Sequence, residues 1–266
     1  MTLLYYDPIF LKHETGSHPE CPQRLAHIAE RLEQRGLLQK TTRPDWGPVD
    51  RQLLTAVHDG VYVDQARRFA ANGGGHIETD TVVSPASFDV ATLAAGAACD
   101  ATRRVLLGED RDALCLVRPP GHHALSTTAM GFCLFNNVAI AANMAMRQHD
   151  LDRVLVIDWD VHHGNGTQDT FWESDQVGFF SIHRWPFYPG SGDDDETGHG
   201  KGLGATVNIP VEFGVSRKDY LNCFARELDD FANRIRPQVV LLSAGFDTHV
   251  LDPVGSLGLE TEDFIT

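Results

Sequence analysis

The chain has 266 residues, 42% of them hydrophobic, and no long polar tract, enough to bury one large α/β core or two smaller ones; a single domain is the expectation. Lys and Arg total 22 against 37 Asp and Glu, and the net charge of −15 argues against a general nucleic-acid binder while leaving a basic peptide or polycation open as a ligand. The start lacks the charged and apolar segments of a signal peptide and no later run reaches membrane-spanning length, so no membrane association and a cytoplasmic protein are expected.

The first motif in chain order is Gly16-Ser17-His18-Pro19-Glu20-Cys21-Pro22-Gln23-Arg24, which leads into a helix with Leu25, Ile28, Leu32 and Leu37 on its apolar side. Residues 41–60 are irregular in composition and carry a Val57-His58-Asp59 segment without an assignable role. Asn72-Gly73-Gly74-Gly75-His76 reads as a flexible loop and runs into Asp80-Thr81-Val82-Val83-Ser84-Pro85. An Ala-rich helix follows to about residue 107, its small face suited to close packing on a sheet. Ala113-Leu114-Cys115-Leu116-Val117 reads as a buried strand ending in Arg118-Pro119-Pro120-Gly121-His122-His123.

Gly131-Phe132-Cys133-Leu134-Phe135-Asn136-Asn137 opens a second Ala-rich helix over residues 138 to about 148. The apolar run Val154-Leu155-Val156-Ile157 then stops at Asp158-Trp159-Asp160-Val161-His162-His163-Gly164. Strand, loop, helix and strand in this order imply parallel pairing through right-handed crossovers, and open sheets of that kind bind ligands at the carboxyl ends of their strands. Val177-Gly178-Phe179-Phe180-Ser181-Ile182-His183 is a further strand, followed by the aromatic loop Trp185-Pro186-Phe187-Tyr188-Pro189-Gly190. The acidic, glycine-rich residues 193–204 form a long loop. Its Gly200-Lys201-Gly202-Leu203-Gly204 lacks the Gly-Lys-Ser/Thr ending of a phosphate loop, and a nucleotide site is rejected. Ser216-Arg217-Lys218-Asp219 reads as a capping box for a helix with Tyr220, Phe224, Leu228 and Phe231 on one face. A last strand, Val239-Val240-Leu241-Leu242, ends in Ser243-Ala244-Gly245-Phe246-Asp247, and Thr261-Glu262-Asp263-Phe264-Ile265-Thr266 reads as the start of a helix.

The five cysteines are widely spaced with no Cys-x-x-Cys, which points to free thiols in place of a disulfide framework or thiolate zinc site. Histidine is more telling, because the 13 histidines include two adjacent pairs, 122–123 and 162–163, both at strand ends. If the backbone stays extended past Ile157, Asp158, Asp160 and His162 point one way, and Asp247 from another strand end completes the set. Two carboxylates and one imidazole suit Zn²⁺ in an open catalytic site, though iron or another divalent ion fits the same donors. His122 and His123 are candidates for the base and acid that such chemistry needs.

The motifs around residues 118–124, 131–137, 158–168 and 243–247, with His18-Pro19-Glu20-Cys21-Pro22-Gln23-Arg24 and Phe187-Tyr188-Pro189-Gly190, together resemble the histone deacetylase family, in its class II-like branch that includes bacterial acetylpolyamine amidohydrolases. The resemblance covers essentially the whole chain and implies an arginase/deacetylase-like α/β fold with a parallel sheet flanked by helices. It implies zinc on Asp160, His162 and Asp247 and a tandem dyad of His122 and His123. Asp158 would bond His122, and Asn165 would stand at the partner position of the second histidine. It further implies a potassium ion at Asp158, Asp160, His162, Ser181 and Ile182. Phe132 and Tyr188 would flank an acyl-lysine tunnel, Gly131 would accept from the substrate nitrogen, Asp80 would be a rim acid, and Arg24 the basic residue of an inner pocket.

The implied activity is removal of acetyl or other acyl groups from lysine side chains, in a peptide or protein, or from polyamines, by attack of a metal-bound water. Val254 stands where polyamine-selective members can carry an acid, and its apolar side chain leans toward acyl-lysine; a homo-oligomer could narrow the entrance. The family's oxyanion donor is usually a tyrosine after a glycine-rich turn well downstream of Asp247. No tyrosine follows Tyr220 here, so the expectation includes a missing C-terminal part of the domain and, as an alternative, a catalytically weak acyl-lysine-binding pseudoenzyme or fragment. A ureohydrolase of the arginase type is a third reading; it uses two manganese ions with more Asp ligands, and the histidine dyad argues against it.

Overall fold

A computed structural model describes residues 2–265, which divide into two compact units, one through His149 and one from Asp150. In the first, strand β1 (Thr2–Tyr5) is followed by helix α1 (Pro22–Gln34), β2 (Thr41–Thr42), the single-turn α2 (Arg51–Leu54) and α3 (Gly60–Ala71). The hairpin β3 (Gly75–Glu78) and β4 (Thr81–Val83), the long α4 (Ser87–Leu106), β5 (Ala113–Cys115) and α5 (Asn137–His149) complete the unit. β1 is the centre of a parallel sheet in the order β2-β1-β5, with Leu3 opposite Ala113 and Tyr5 opposite Cys115. The small face of α4 lets Ala97 and Ala101 pack on Leu3 and Tyr5. Asn72 to His76 differ from the loop expected of them: three glycines bend the chain, and from Gly75 it pairs antiparallel with β4, which puts Asp80 at the tip of a hairpin.

The second unit runs β6 (Val154–Asp158), α6 (Asn165–Phe171), β7 (Val177–Arg184), β8 (Thr206–Val211), α7 (Arg217–Ile235) and β9 (Val239–Ser243). All its strand pairs are parallel, in the order β8-β7-β6-β9. β6 is buried at every residue and β7 at all but Arg184, which is why both read as unbroken apolar runs: a parallel strand covered on both faces has no polar side to show. The shared register sets Asp158 between Ser181 of β7 and Ser243 of β9, so three polar side chains lie side by side across three adjacent strands, at the last residue of β6 and of β9 and within β7. Ser216 caps α7 as expected, accepting from the Asp219 amide at 3.1 Å; its hydroxyl donates to the Asp219 carboxylate at 2.6 Å. Phe231 and Tyr220 of α7 bury against Leu155, Ile157 and Phe180. The last expected helix is a single 3-10 turn, Thr261–Phe264, and Thr266 lies outside the described residues.

No helix among the described residues is long and apolar enough to cross a membrane. The five cysteines are unpaired thiols.

Candidate active site

In the second unit Asp160, His162 and Asp247 offer ligand atoms that all lie within 4.8 Å of one another. Nδ1 of His162 stands 2.9 Å from Asp160 Oδ1 and 3.0 Å from Asp247 Oδ2. The expected alternation along an extended strand is not how this happens. β6 ends at Asp158, and the chain then turns through a ladder of side-chain caps. The Asp160 amide donates to Asp158 Oδ1 at 3.1 Å, the His162 amide to Asp160 Oδ1 at 2.8 Å, and the Val161 amide to Asp247 Oδ1 at 2.9 Å. Short carboxylate side chains that hold amides two residues on are a turn-forming device, so the acidic residues fold their own loop. Asp158 is thereby fully buried while Asp160, His162 and Asp247 keep partial exposure.

Gly245 makes room for this loop: a Cβ there would fall 2.1 Å from Asp160 Oδ2. Phe187 stacks on the His162 ring at 5.1 Å, and Tyr188, 37% exposed, meets it edge-on at 6.0 Å.

The charge balance of the triad suits a cation. Burial by itself lowers the pKa of His162, yet its bonds to Asp160 and Asp247 win and push it up to about 10. Asp247 is raised in turn by burial and by Asp160. Two carboxylates and an imidazole this close, each partly exposed, fit a divalent metal of the zinc type.

The remaining cation candidates of this unit lie beside the triad. Ser181, opposite Asp158 in register, is fully buried, as is Ile182, and Ser181 Oγ is 2.9 Å from His183 Nδ1. Asn165 is the first residue of α6. Val254, 38% exposed, lies in the turn after Asp247, where its amide donates to Asp252.

In the first unit His122 and His123 are buried with ring centroids 4.0 Å apart. Gly131 is pressed on them: a Cβ there would lie 2.2 Å from His123 Cδ2, and its φ of 56° is in the left-handed region that favours glycine. Its amide donates to Asp80 Oδ1 at 3.1 Å, and its carbonyl accepts a weak bond from Cys133 Sγ at 3.3 Å. Phe132 follows at φ 70°, held by a bond from its amide to Thr81 Oγ1 and by His18, whose ring meets it edge-on at 4.4 Å. Strain of this kind persists only where surrounding contacts enforce it. The β3–β4 hairpin and the His18 loop therefore shape the turn that carries Gly131 and Phe132.

Arg24 does not suit the inner-pocket place expected of it. Its side chain is 59% exposed on α1 and reaches Glu20 only at 4.0 Å. Being the third residue of a helix that turns its other side inward, it projects outward. The buried arginine is Arg118, 4% exposed, which holds both carboxylate oxygens of Glu20 at 2.5 and 2.7 Å and the Phe10 carbonyl at 3.0 Å. His13 stands on the other side of Glu20 at 3.4 Å. Burial alone would raise the Glu20 pKa, but His13 and Arg118 bring it down to about 2.

His58 was also missed. It is 1% exposed, donates from Nδ1 to the Leu125 carbonyl and accepts the Asn136 amide on Nε2, both at 2.9 Å, and so ties together the segments on either side of the Gly131 turn. A lone histidine in an irregular stretch gives no sequence signal of such a bridge.

A family model described as the histone deacetylase domain matches residues 18–266. A probable deacetylase of Archaeoglobus fulgidus is 37% identical over 267 residues, 99% of this chain and 74% of that protein. The polyamine deacetylase HDAC10 of Homo sapiens is 40% identical over 279 residues, which cover 98% of this chain and 42% of its own length. The crystal structure of the HDA15 HD domain matches with a TM-score of 0.92 and 37% identity over 96% of this chain and 75% of that one. On this footing, and with the expected parallel α/β fold in place, the chain belongs to the histone deacetylase domain family.

Proposed function

We propose that the chain is a zinc-dependent amidohydrolase that removes acetyl or other acyl groups from lysine side chains or polyamines. The observation that carries this reading is the convergence of Asp160, His162 and Asp247 within 4.8 Å in a chain of this family. Zinc held by those three side chains would supply Lewis acidity, polarising the acyl carbonyl and bringing the pKa of water toward about 7.

The chain's own residues do the rest. One imidazole of the His122 and His123 pair takes the proton of the attacking water, and a proton is returned to the departing amine nitrogen as the C–N bond breaks. Asp158 and Asn165 keep the roles that the resemblance gives them, a charged and a neutral partner for the pair. Asp158, Asp160, His162, Ser181 and Ile182 hold a potassium ion; the buried oxygen donors Asp158 and Ser181, side by side in register, support a hard monovalent cation there. Gly131, Phe132, Asp80 and Tyr188 keep the substrate-contacting roles that the resemblance gives them.

Acyl-lysine in a peptide or protein is the preferred substrate because Val254 is apolar. Acylated polyamine is the second reading, favoured by the similarity to a relative named a polyamine deacetylase. The free cysteines are in keeping with a cytoplasmic setting.

The test is turnover of an acetyl-lysine reporter and an acetylated polyamine by protein stripped with chelator and then reloaded with zinc. Activity is expected to vanish on stripping and to return with zinc. A folded, zinc-loaded chain that binds the reporter without turning it over would replace the enzyme with the acyl-lysine-binding pseudoenzyme.

A further inference from the structure

The hydrogen bonds around Ser181 run in one direction. His183, fully buried in β7, meets the Gly192 carbonyl through Nε2 and Ser181 Oγ through Nδ1, each at 2.9 Å. A carbonyl only accepts, so Nε2 carries the proton. The protonated nitrogen thus faces Gly192, and Nδ1 faces the Ser181 hydroxyl as the acceptor of the pair. The Ser181 hydroxyl must therefore donate to it. With its one hydrogen spent on His183, Ser181 Oγ presents only lone pairs, and beside it in register the buried Asp158 adds further oxygen donors, a pairing suited to a cation.

Gly192, at the far end of this chain of bonds, is fixed by Glu196. Its amide donates to Glu196 Oε1 at 2.9 Å, and the Asp193 amide donates to the same oxygen at 3.2 Å. Glu196 Oε2 accepts from Gln168 Nε2 at 2.5 Å, which turns Gln168 Oε1 to Asn208 at 2.7 Å and His163 Nε2 at 3.0 Å. The turn packs directly on the histidines: at φ 97°, a Cβ on Gly192 would lie 2.6 Å from the rings of both His163 and His183. The carboxylate of an acidic loop thus decides where the Gly192 carbonyl points.

We infer that Glu196, acting through Gly192 and His183, directs the Ser181 hydroxyl and so sets the affinity of a monovalent cation beside Asp158. Glu196 and His183 are positioning residues; neither touches the ion. This rests on the reading of Asp158, Asp160, His162, Ser181 and Ile182 as potassium donors.

The experiment is thermal unfolding of the zinc-loaded chain across a KCl titration, with choline chloride keeping ionic strength constant. The wild type is expected to show a saturable, potassium-specific rise in unfolding temperature. In Glu196→Gln the KCl concentration at half-effect should rise about five- to tenfold, the size of one misdirected buried hydrogen bond, and in His183→Phe at least as much. A merely structural role would lower the unfolding temperature in choline chloride and leave the potassium dependence where it was. An unchanged half-effect concentration in Glu196→Gln overturns the positioning role alone, and this variant on a partly exposed loop decides the matter even where His183→Phe does not fold. A wild type indifferent to potassium overturns the cation site, and the inference falls with it.

Discussion

His58 shows what a single buried side chain does to the pH dependence of the molecule. Desolvation outweighs its bond to the Leu125 carbonyl and lowers its pKa to about 4, against about 6.5 in an unfolded chain. Between those values the unfolded chain binds the proton and the folded one does not. The stability that neutral His58 contributes is therefore complete above pH 6.5, drains away as pH falls toward 4, and changes no further below it. A gap of this size corresponds to about 3 kcal/mol over the window. His58→Gln should be less stable than the wild type by about 1–3 kcal/mol at pH 7, because the Asn136 amide or the Leu125 carbonyl loses geometry. The difference should shrink as pH falls to 4.5, as read by urea unfolding at a series of pH values. A constant difference would mean that His58 does not titrate in this window. The residue scale is also where sequence reading was weakest. Arg24 and Arg118 both stood in motifs, and nothing in their spacing told which one is buried.

At the scale of elements, the strands with two covered faces were legible because burial writes an unbroken apolar run, as in Val154–Asp158 and Val177–Arg184. β1 lies at the centre of its sheet yet announced itself only as an apolar start, and the two-residue β2 and the hairpin strand after three glycines are too short to carry a period. The candidate metal triad was legible as residues and not as geometry. Its members meet through side-chain-capped turns after the strand ends, which alternation does not describe. The same holds for the loop that carries the dyad. Arg118 follows β5 by three residues, and its bidentate grip on Glu20 joins that exit to the segment before α1. Both side chains are almost wholly enclosed, so removing one partner leaves an unpaired charge without water. Glu20→Gln should cost about 3–5 kcal/mol, and pairing it with Arg118→Met should recover much of the loss, since an uncharged pair of similar volume leaves no lone ion without water. Denaturant unfolding of the single and double variants separates this from a plain packing defect, which the second substitution would deepen.

At the scale of the whole molecule the net charge of −15 becomes an argument about substrates. An acylated polyamine retains ammonium groups, whereas a capped acetyl-lysine reporter is neutral, so the long-range field of the chain distinguishes the two before any contact is made. That field reaches about 10 Å at 0.1 M salt and about 3 Å at 1 M. If acylated polyamine is turned over, its kcat/KM should fall about tenfold between 0.05 and 0.5 M ionic strength, because attraction of a cationic ligand is a salt-dependent rate effect. For the neutral reporter the change should stay within about twofold over the same range. The salt series must be made with choline chloride at fixed KCl, so that any specific effect of potassium is held constant while screening varies. Two parallel slopes would show that the acidic surplus does not act on the approach to the site. Discrimination between lysine and polyamine would then rest on close contacts such as those around Val254, and Val254→Glu would be expected to favour the polyamine by an added short-range charge at any salt concentration.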